Sequence, residues 1–135
     1  MKKIFFIACL SSIAFLSCNV RDESKRKALE KTTTVQLIDS VYNFGTINQG
    51  EKVEFNFRFK NTGNAPLVIT DAAASCGCTV PEKPERPILP GETGFIKVVF
   101  NSAGKRGHSD KSITVHSNAK PEFPELMMSG EIKAD

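Results

Sequence analysis

The sequence predicts an all-β domain in which two antiparallel sheets pack face to face, and three observations lead there. Apolar and polar residues alternate with a period of two over several short runs, most clearly in "KVEFNFRFKN". Clusters of Gly, Pro and Asn, such as "NTGNAP", separate those runs. Roughly seven or eight such strands fit into about 100 residues, the length a two-sheet sandwich needs.

The elements before the domain come first. Lys2 and Lys3 precede an uncharged, mostly apolar stretch from Ile4 to Leu16. That stretch is shorter than the roughly 17–25 residues of a membrane-spanning helix, so residues 1–17 read as a signal peptide. Phe15-Leu16-Ser17-Cys18 resembles a bacterial lipobox. The resemblance implies that Cys18 is lipidated and becomes the first residue after cleavage, and palmitate is among the acyl groups expected there. Each buried methylene contributes about 0.8 kcal/mol, so several acyl chains on one cysteine hold firmly. Residues 18–31 are then a polar tether. "RDESKRKALEK" can turn into helix, with Glu23 and Lys27 four residues apart, but a helix this short is marginal alone. The expected location is a bacterial cell envelope, lipid-anchored to a membrane.

Residues 32–135 form the predicted domain. "TVQLI" alternates and begins it. In "KVEFNFRFKN", Val53, Phe55, Phe57 and Phe59 point one way and the charged and polar residues the other. Gly45 and Gly50 read as punctuation of the connection ahead of that strand. "NTGNAP" is a turn, and "LVIT" a strand. Pro90-Gly91 is a turn dipeptide leading into the strand "GFIKVVF". "NSAGKRGHS" reads as a loop. "KSITVHSN" alternates, with Ile113 and Val115 inward, and "PELMMSGEIKA" supplies the last strand. The pattern is that of an immunoglobulin-like antiparallel β-sandwich, without the distant cysteine pair and tryptophan of antibody domains.

Charge bounds the partners. The chain carries a formal net charge of +3, but from Thr32 onward there are 11 Lys and Arg against 12 Asp and Glu. A near-neutral domain with one Tyr and no Trp has no electrostatic footprint for nucleic acid.

Of four cysteines, Cys9 leaves with the leader and Cys18 takes lipid. Cys76 and Cys78 remain, in a compartment where disulfides persist. Residues i and i+2 of a regular strand lie more than about 6 Å apart at Cα, near the upper limit for a disulfide. A bond between them therefore needs a bend, which Gly77 permits. The pair is thus a possible disulfide or metal pair. Exchange chemistry needs exposure and a lowered thiol pKa, and no Lys, Arg or His adjoins it in sequence. Two close thiolates also suit Cu(I), whereas zinc needs four ligands and only His108 and His116 supply nitrogen. "GHSDK" places His108, Ser109 and Asp110 consecutively, which is a polar turn rather than a hydrolytic triad, since triads assemble in space. Pro81, Pro84, Pro87 and Pro90 recur every three residues, the polyproline period. The sequence favours a stiff connector there, with proline also blunting an edge strand.

The ordered set "FGTINQGEKVEFNFRFKNTGNAPLVI", "SCGCTVP", "PILPGETGFIKVVFNSAGKRG" and "ITVHSN" resembles the bacterial "domain of unknown function 1573" family, many of whose members are lipoproteins. The likeness covers about Val41 to Ile132. It implies an immunoglobulin-like sandwich similar to pilus-chaperone and major-sperm-protein folds, and it implies no activity. The expected function is accordingly a non-enzymatic binding or structural module. Its expected partners are the membrane, through lipid on Cys18, and an envelope protein or glycan, with no catalytic residues and no cofactor. The alternative is a thiol-redox or copper-handling domain using Cys76 and Cys78.

Overall fold

The computed structural model describes residues 20–134, so the leader and Cys18 lie outside the described residues. A helix, α1 (Val20–Leu29), precedes eight strands: β1 (Val35–Leu37), β2 (Val41–Asn48), β3 (Lys52–Asn61), β4 (Ile69–Ala74), β5 (Thr79–Glu82), β6 (Thr93–Asn101), β7 (Gly107–Ser117) and β8 (Leu126–Lys133). They form two four-stranded sheets, ordered β1-β3-β6-β5 and β2-β8-β7-β4. Among the described residues no helix is long and apolar enough to cross a membrane.

The core follows from the alternation. Phe57 and Phe59 of β3 and Ile96, Val98 and Phe100 of β6 face Ile113, Val115, Leu126, Met128 and Ile132 of the other sheet. Each such side chain contributes about 1.5–3 kcal/mol on burial. Aromatic pairs lock the layers together: Tyr42 stacks on Phe55 at 3.9 Å between ring centres, and Phe44 on Phe100 at 5.6 Å.

The strand β3 occupies the residues read from its period. Elsewhere the boundaries move. The strand expected at "LVIT" runs Ile69–Ala74 instead, while Leu67 pairs with Ile88 in an isolated bridge. Gly107, His108 and Ser109, expected in a loop, already belong to β7. Part of the segment read as a connector, Thr79–Glu82, is the edge strand β5.

The largest difference is β2. Residues around Gly45, read as a connection, form an eight-residue strand that pairs parallel with β8, so the sandwich is not antiparallel throughout. A bulge explains why the pattern hides it. The register shifts between Asn43 and Thr46, Gly45 takes a left-handed φ of 70°, and its N–H donates to Asn43 Oδ1 at 2.7 Å. Inward residues are thus Tyr42, Phe44 and then Ile47, an interval of three where a regular strand has two.

α1 is more than a loose tether. Asn118, buried at the end of β7, directs its Nδ2 toward the carbonyl oxygens of Ala28 (3.1 Å), Lys31 (2.8 Å) and Pro66 (2.9 Å). Its Oδ1 accepts the Val68 N–H at 2.8 Å. One amide therefore ties the Ala28 carbonyl in the last turn of the helix and the Lys31 carbonyl just beyond it to Pro66 and Val68 of the domain, and fixes that end in place.

Candidate functional site

Cys76 and Cys78 sit where the chain leaves β4 in one sheet and enters β5 in the other. They are joined by a disulfide, with Cα atoms 5.4 Å apart. The extended spacing is shortened by a turn in which the Thr79 N–H donates to the Cys76 carbonyl at 3.3 Å. Gly77 is exposed and lies outside the left-handed region, with open space around the position a Cβ would take. Three further bonds fix the corner without using sulfur. The Ser75 N–H donates to the Ser112 carbonyl (2.9 Å), the Ser112 N–H to Ser75 Oγ (3.2 Å), and the Asn101 N–H to the Cys78 carbonyl (2.9 Å). A disulfide closing so short a loop removes only on the order of 1.5 kcal/mol of chain entropy from the unfolded state. None of the three bonds depends directly on the sulfurs.

The surroundings give the sulfurs two polar neighbours. Thr79 is buried, and its Oγ1 lies 3.7 Å from Cys76 Sγ and 3.8 Å from Cys78 Sγ. The second lies farther off: the β3–β6 register pairs Lys52 with Asn101, whose N–H donates to the Cys78 carbonyl, so three strands place a cation on the depression that Cys78 lines. Lys52, Gly77, Cys78, Val80, Val99, Asn101 and Ala103 together line an open depression of about 300 Å³. Val80 is 55% exposed at its rim. Thr79 follows Cys78 directly in the sequence, whereas the approach of Lys52 is visible only in the strand register.

The other candidates disperse. His108 Nδ1 lies 2.9 Å from Glu131 Oε1, and its Nε2 lies 3.1 Å from both oxygens of Asp110. Ser109 points to the opposite face, buried, with no hydrogen-bond partner on Oγ. No Ser-His-Asp array assembles. His116 is exposed farther along β7, and among the described residues no group of three or more His, Cys, Asp or Glu could hold a metal ion. With both sulfurs bonded to each other, a copper site would first require reduction.

The His108 pair has a pH consequence. The hydrogen bond to Glu131, then the charge of Asp110, raise its pKa above the ordinary 6.5. A folded pKa above the unfolded one gives stability fully present below the unfolded value and lost as pH rises through the folded value. The difference in Tm between the parent and His108→Gln should therefore shrink from about pH 6 to about pH 8. A difference independent of pH would refute this coupling.

Of the spaced prolines, Pro81 lies in β5 opposite Val98, where it withholds a donor from the sheet edge. Pro84 and Pro87 are half-buried and Pro90 exposed in the connection to β6. That connection is held by the Leu67–Ile88 bridge and by Glu92 Oε2, which accepts the Leu89 N–H at 2.9 Å.

Comparison with known proteins now fixes the relationship. The chain belongs to the family described as protein of unknown function (DUF1573), whose model matches residues 35–132. A protein of unknown function from Porphyromonas gingivalis W83 is similar in structure, with TM-score 0.64 and 16% identity over 75% of this chain and 47% of that one. The chain thus spans about half the length of that protein. The PapD-like domain 7 of human CEP192 is similar with TM-score 0.58 and 11% identity, over 100% of this chain and 99% of that domain. The YadV chaperone is similar with TM-score 0.51 and 14% identity, over 73% of this chain and 52% of that one. No curated protein sequence matches the chain. The fold is an immunoglobulin-like, PapD-like β-sandwich.

Proposed function

We propose that this member of the DUF1573 family is a binding module, lipid-anchored through Cys18 in the bacterial cell envelope, that captures an extended segment of a partner protein along the open edge of β2. The observation that carries this reading is the contrast among the four sheet edges. β1 has only three residues, β5 has four and contains Pro81, and β4 contains the exposed Asp71 and a register shift. These are the usual devices that blunt an edge against pairing. β2 has eight residues, "VYNFGTIN", with no charge and no proline, and pairs only with β8. An edge of this kind offers main-chain donors and acceptors to an added strand. The Gly45 bulge limits the addition to one segment on either side of it.

A protein partner suits the edge better than a glycan. Sugar faces need aromatic platforms, and the single Tyr, Tyr42, is half-buried and stacked on Phe55. The fold shared with YadV, a chaperone, supports a role in holding another polypeptide.

A photo-crosslinking residue placed singly at Val41, Thr46, His116 or Glu131 of the full-length protein, in native envelopes, tests the reading. Adducts should form at Val41 and Thr46 and not at the two positions on the outer face of β7 and β8. A peptide copied from the crosslinked segment should slow hydrogen exchange of the β2 amides. Val41→Lys combined with Thr46→Lys should abolish both effects, and Cys18→Ala should release the protein from membranes. Adducts concentrated on the sheet face, or an unchanged double variant, would overturn the edge. Membrane retention of Cys18→Ala would overturn the anchor.

A further inference from the structure

We propose that the Cys76–Cys78 disulfide is a thiol–disulfide exchange site that oxidises a dithiol on another envelope protein. The site lies at the edge opposite β2 in the sheet order and does not depend on the binding role assigned there.

Four observations converge on it. The corner backbone carries hydrogen bonds that leave the sulfurs out, so opening the disulfide breaks none of them. Cys76 and Cys78 are half-buried and Gly77 exposed, so the bond can be approached from solvent. The buried Thr79 hydroxyl is within reach of both sulfurs and can donate to whichever becomes a thiolate. Cys78 also lines a depression whose other walls include the apolar Val80 and Val99 and the cation Lys52. A cation and a hydroxyl donor are the features that stabilise thiolates, and an apolar seat beside them positions an incoming cysteine.

The chemistry balances with the substrate alone. A substrate thiolate seated in the depression attacks Cys78 Sγ, forming a substrate–Cys78 disulfide and breaking the bond to Cys76. Cys76 leaves as a thiolate, accepts the hydrogen bond from Thr79 Oγ1, and takes a proton from solvent. The second substrate thiol, deprotonated by solvent, attacks the substrate sulfur of the mixed disulfide. Cys78 leaves as a thiolate that Thr79 and Lys52 stabilise, and is protonated in turn. The substrate loses two electrons and two protons and gains a disulfide. Cys76 and Cys78 gain two electrons and end as thiols. The sulfur whose departure releases product, Cys78 Sγ, lines the depression that Lys52 also lines, which gives that lysine a role in the second step.

The test uses the oxidised full chain purified in detergent and a short reduced peptide bearing two cysteines flanked by leucine. Acid quenching and alkylation at intervals, read by mass spectrometry, should show one peptide disulfide per protein consumed. The transient adduct should sit on Cys78, with Cys76 alkylated. Thr79→Val should slow exchange about tenfold, with Thr79→Ser retaining the parent rate. Lys52→Ala should slow it about threefold. Cys76→Ser combined with Cys78→Ser should show none. Thermal unfolding of each variant separates a lost hydroxyl or charge from a lost fold. The proposal is overturned if the peptide stays reduced beside folded parent protein. It is equally overturned if folded Thr79→Val and Lys52→Ala both exchange at the parent rate.

Discussion

Asn61→Ala is expected to destabilise the domain by about 3–5 kcal/mol, at the upper end for a single substitution. Asn61 ends β3 fully buried, and every polar atom of its side chain is engaged. Its Oδ1 accepts the Thr33 hydroxyl at 2.7 Å and the Gly63 N–H at 3.1 Å, and its Nδ2 donates to the carbonyls of Ala65 and Ile88, each at 2.8 Å. The truncation leaves these partners facing a void, and a buried group without its hydrogen bond costs about 1–3 kcal/mol. Three segments are joined through this one amide: the entry to the domain at Thr33, the turn after β3, and the connection ahead of β6. A Tm lower by on the order of 15 °C or more is expected in thermal unfolding. Asn61→Asp should fail to rescue, because it replaces the two N–H donors with an oxygen aimed at carbonyl oxygens. A Tm within a few degrees of the parent would show that water or rearrangement replaces the network.

Gly130→Ala is expected to cost about 2–3 kcal/mol, as overpacking of a closed interior site does. Gly130 is buried in β8, and the Phe44 ring lies where its Cβ would be. The same Cβ would also stand 2.7 Å from the Gly45 carbonyl oxygen. Phe44 cannot swing away freely, since it stacks on Phe100 in the opposite sheet. The added methyl therefore pushes on β2 as a whole. Hydrogen exchange should show protection lost at residues 41–48 while the β3–β6 amides keep theirs. Phe44→Ala in the same chain should relieve part of the clash, giving a double variant less unstable than the sum of the single ones. Unchanged protection of β2 in Gly130→Ala would refute this account.

How far the sequence could be read depends on whether the relevant order was local. β3 was legible because Val53, Phe55, Phe57 and Phe59 alternate without interruption, and its bounds in the structure are those of the pattern. β2 was hidden because one inserted residue resets its alternation at Gly45. Its parallel partner lies about 85 residues away, and no local pattern specifies that pairing. The start of β7 reads as loop because glycine and exposed polar residues surround His108, and only pairing with Glu131 on β8 makes it strand. The same holds at the candidate site. Cys76 and Cys78 were visible as a pair, and Gly77 as a place to bend. Thr79 follows Cys78 directly, but the turn is what brings its hydroxyl to Cys76 as well, and Lys52 reaches the same depression only through strand register. Asn61 opens the turn "NTGNAP" and Asn118 ends the alternating run "KSITVHSN", and neither pattern shows that their side chains replace missing secondary structure in the interior.

The Asn118 anchor bears on how the molecule stands. The β6 strand runs from the pole holding Asn61, Pro66 and Ile88 to the pole holding Lys52 and Cys78. Asn118 bonds Pro66 and the end of α1, so the helix joins the domain at the first of these poles. A ten-residue helix is about 15 Å long. The end of α1 is therefore fixed to one pole of the sandwich, and the Cys76–Cys78 corner lies at the other, a full strand length away.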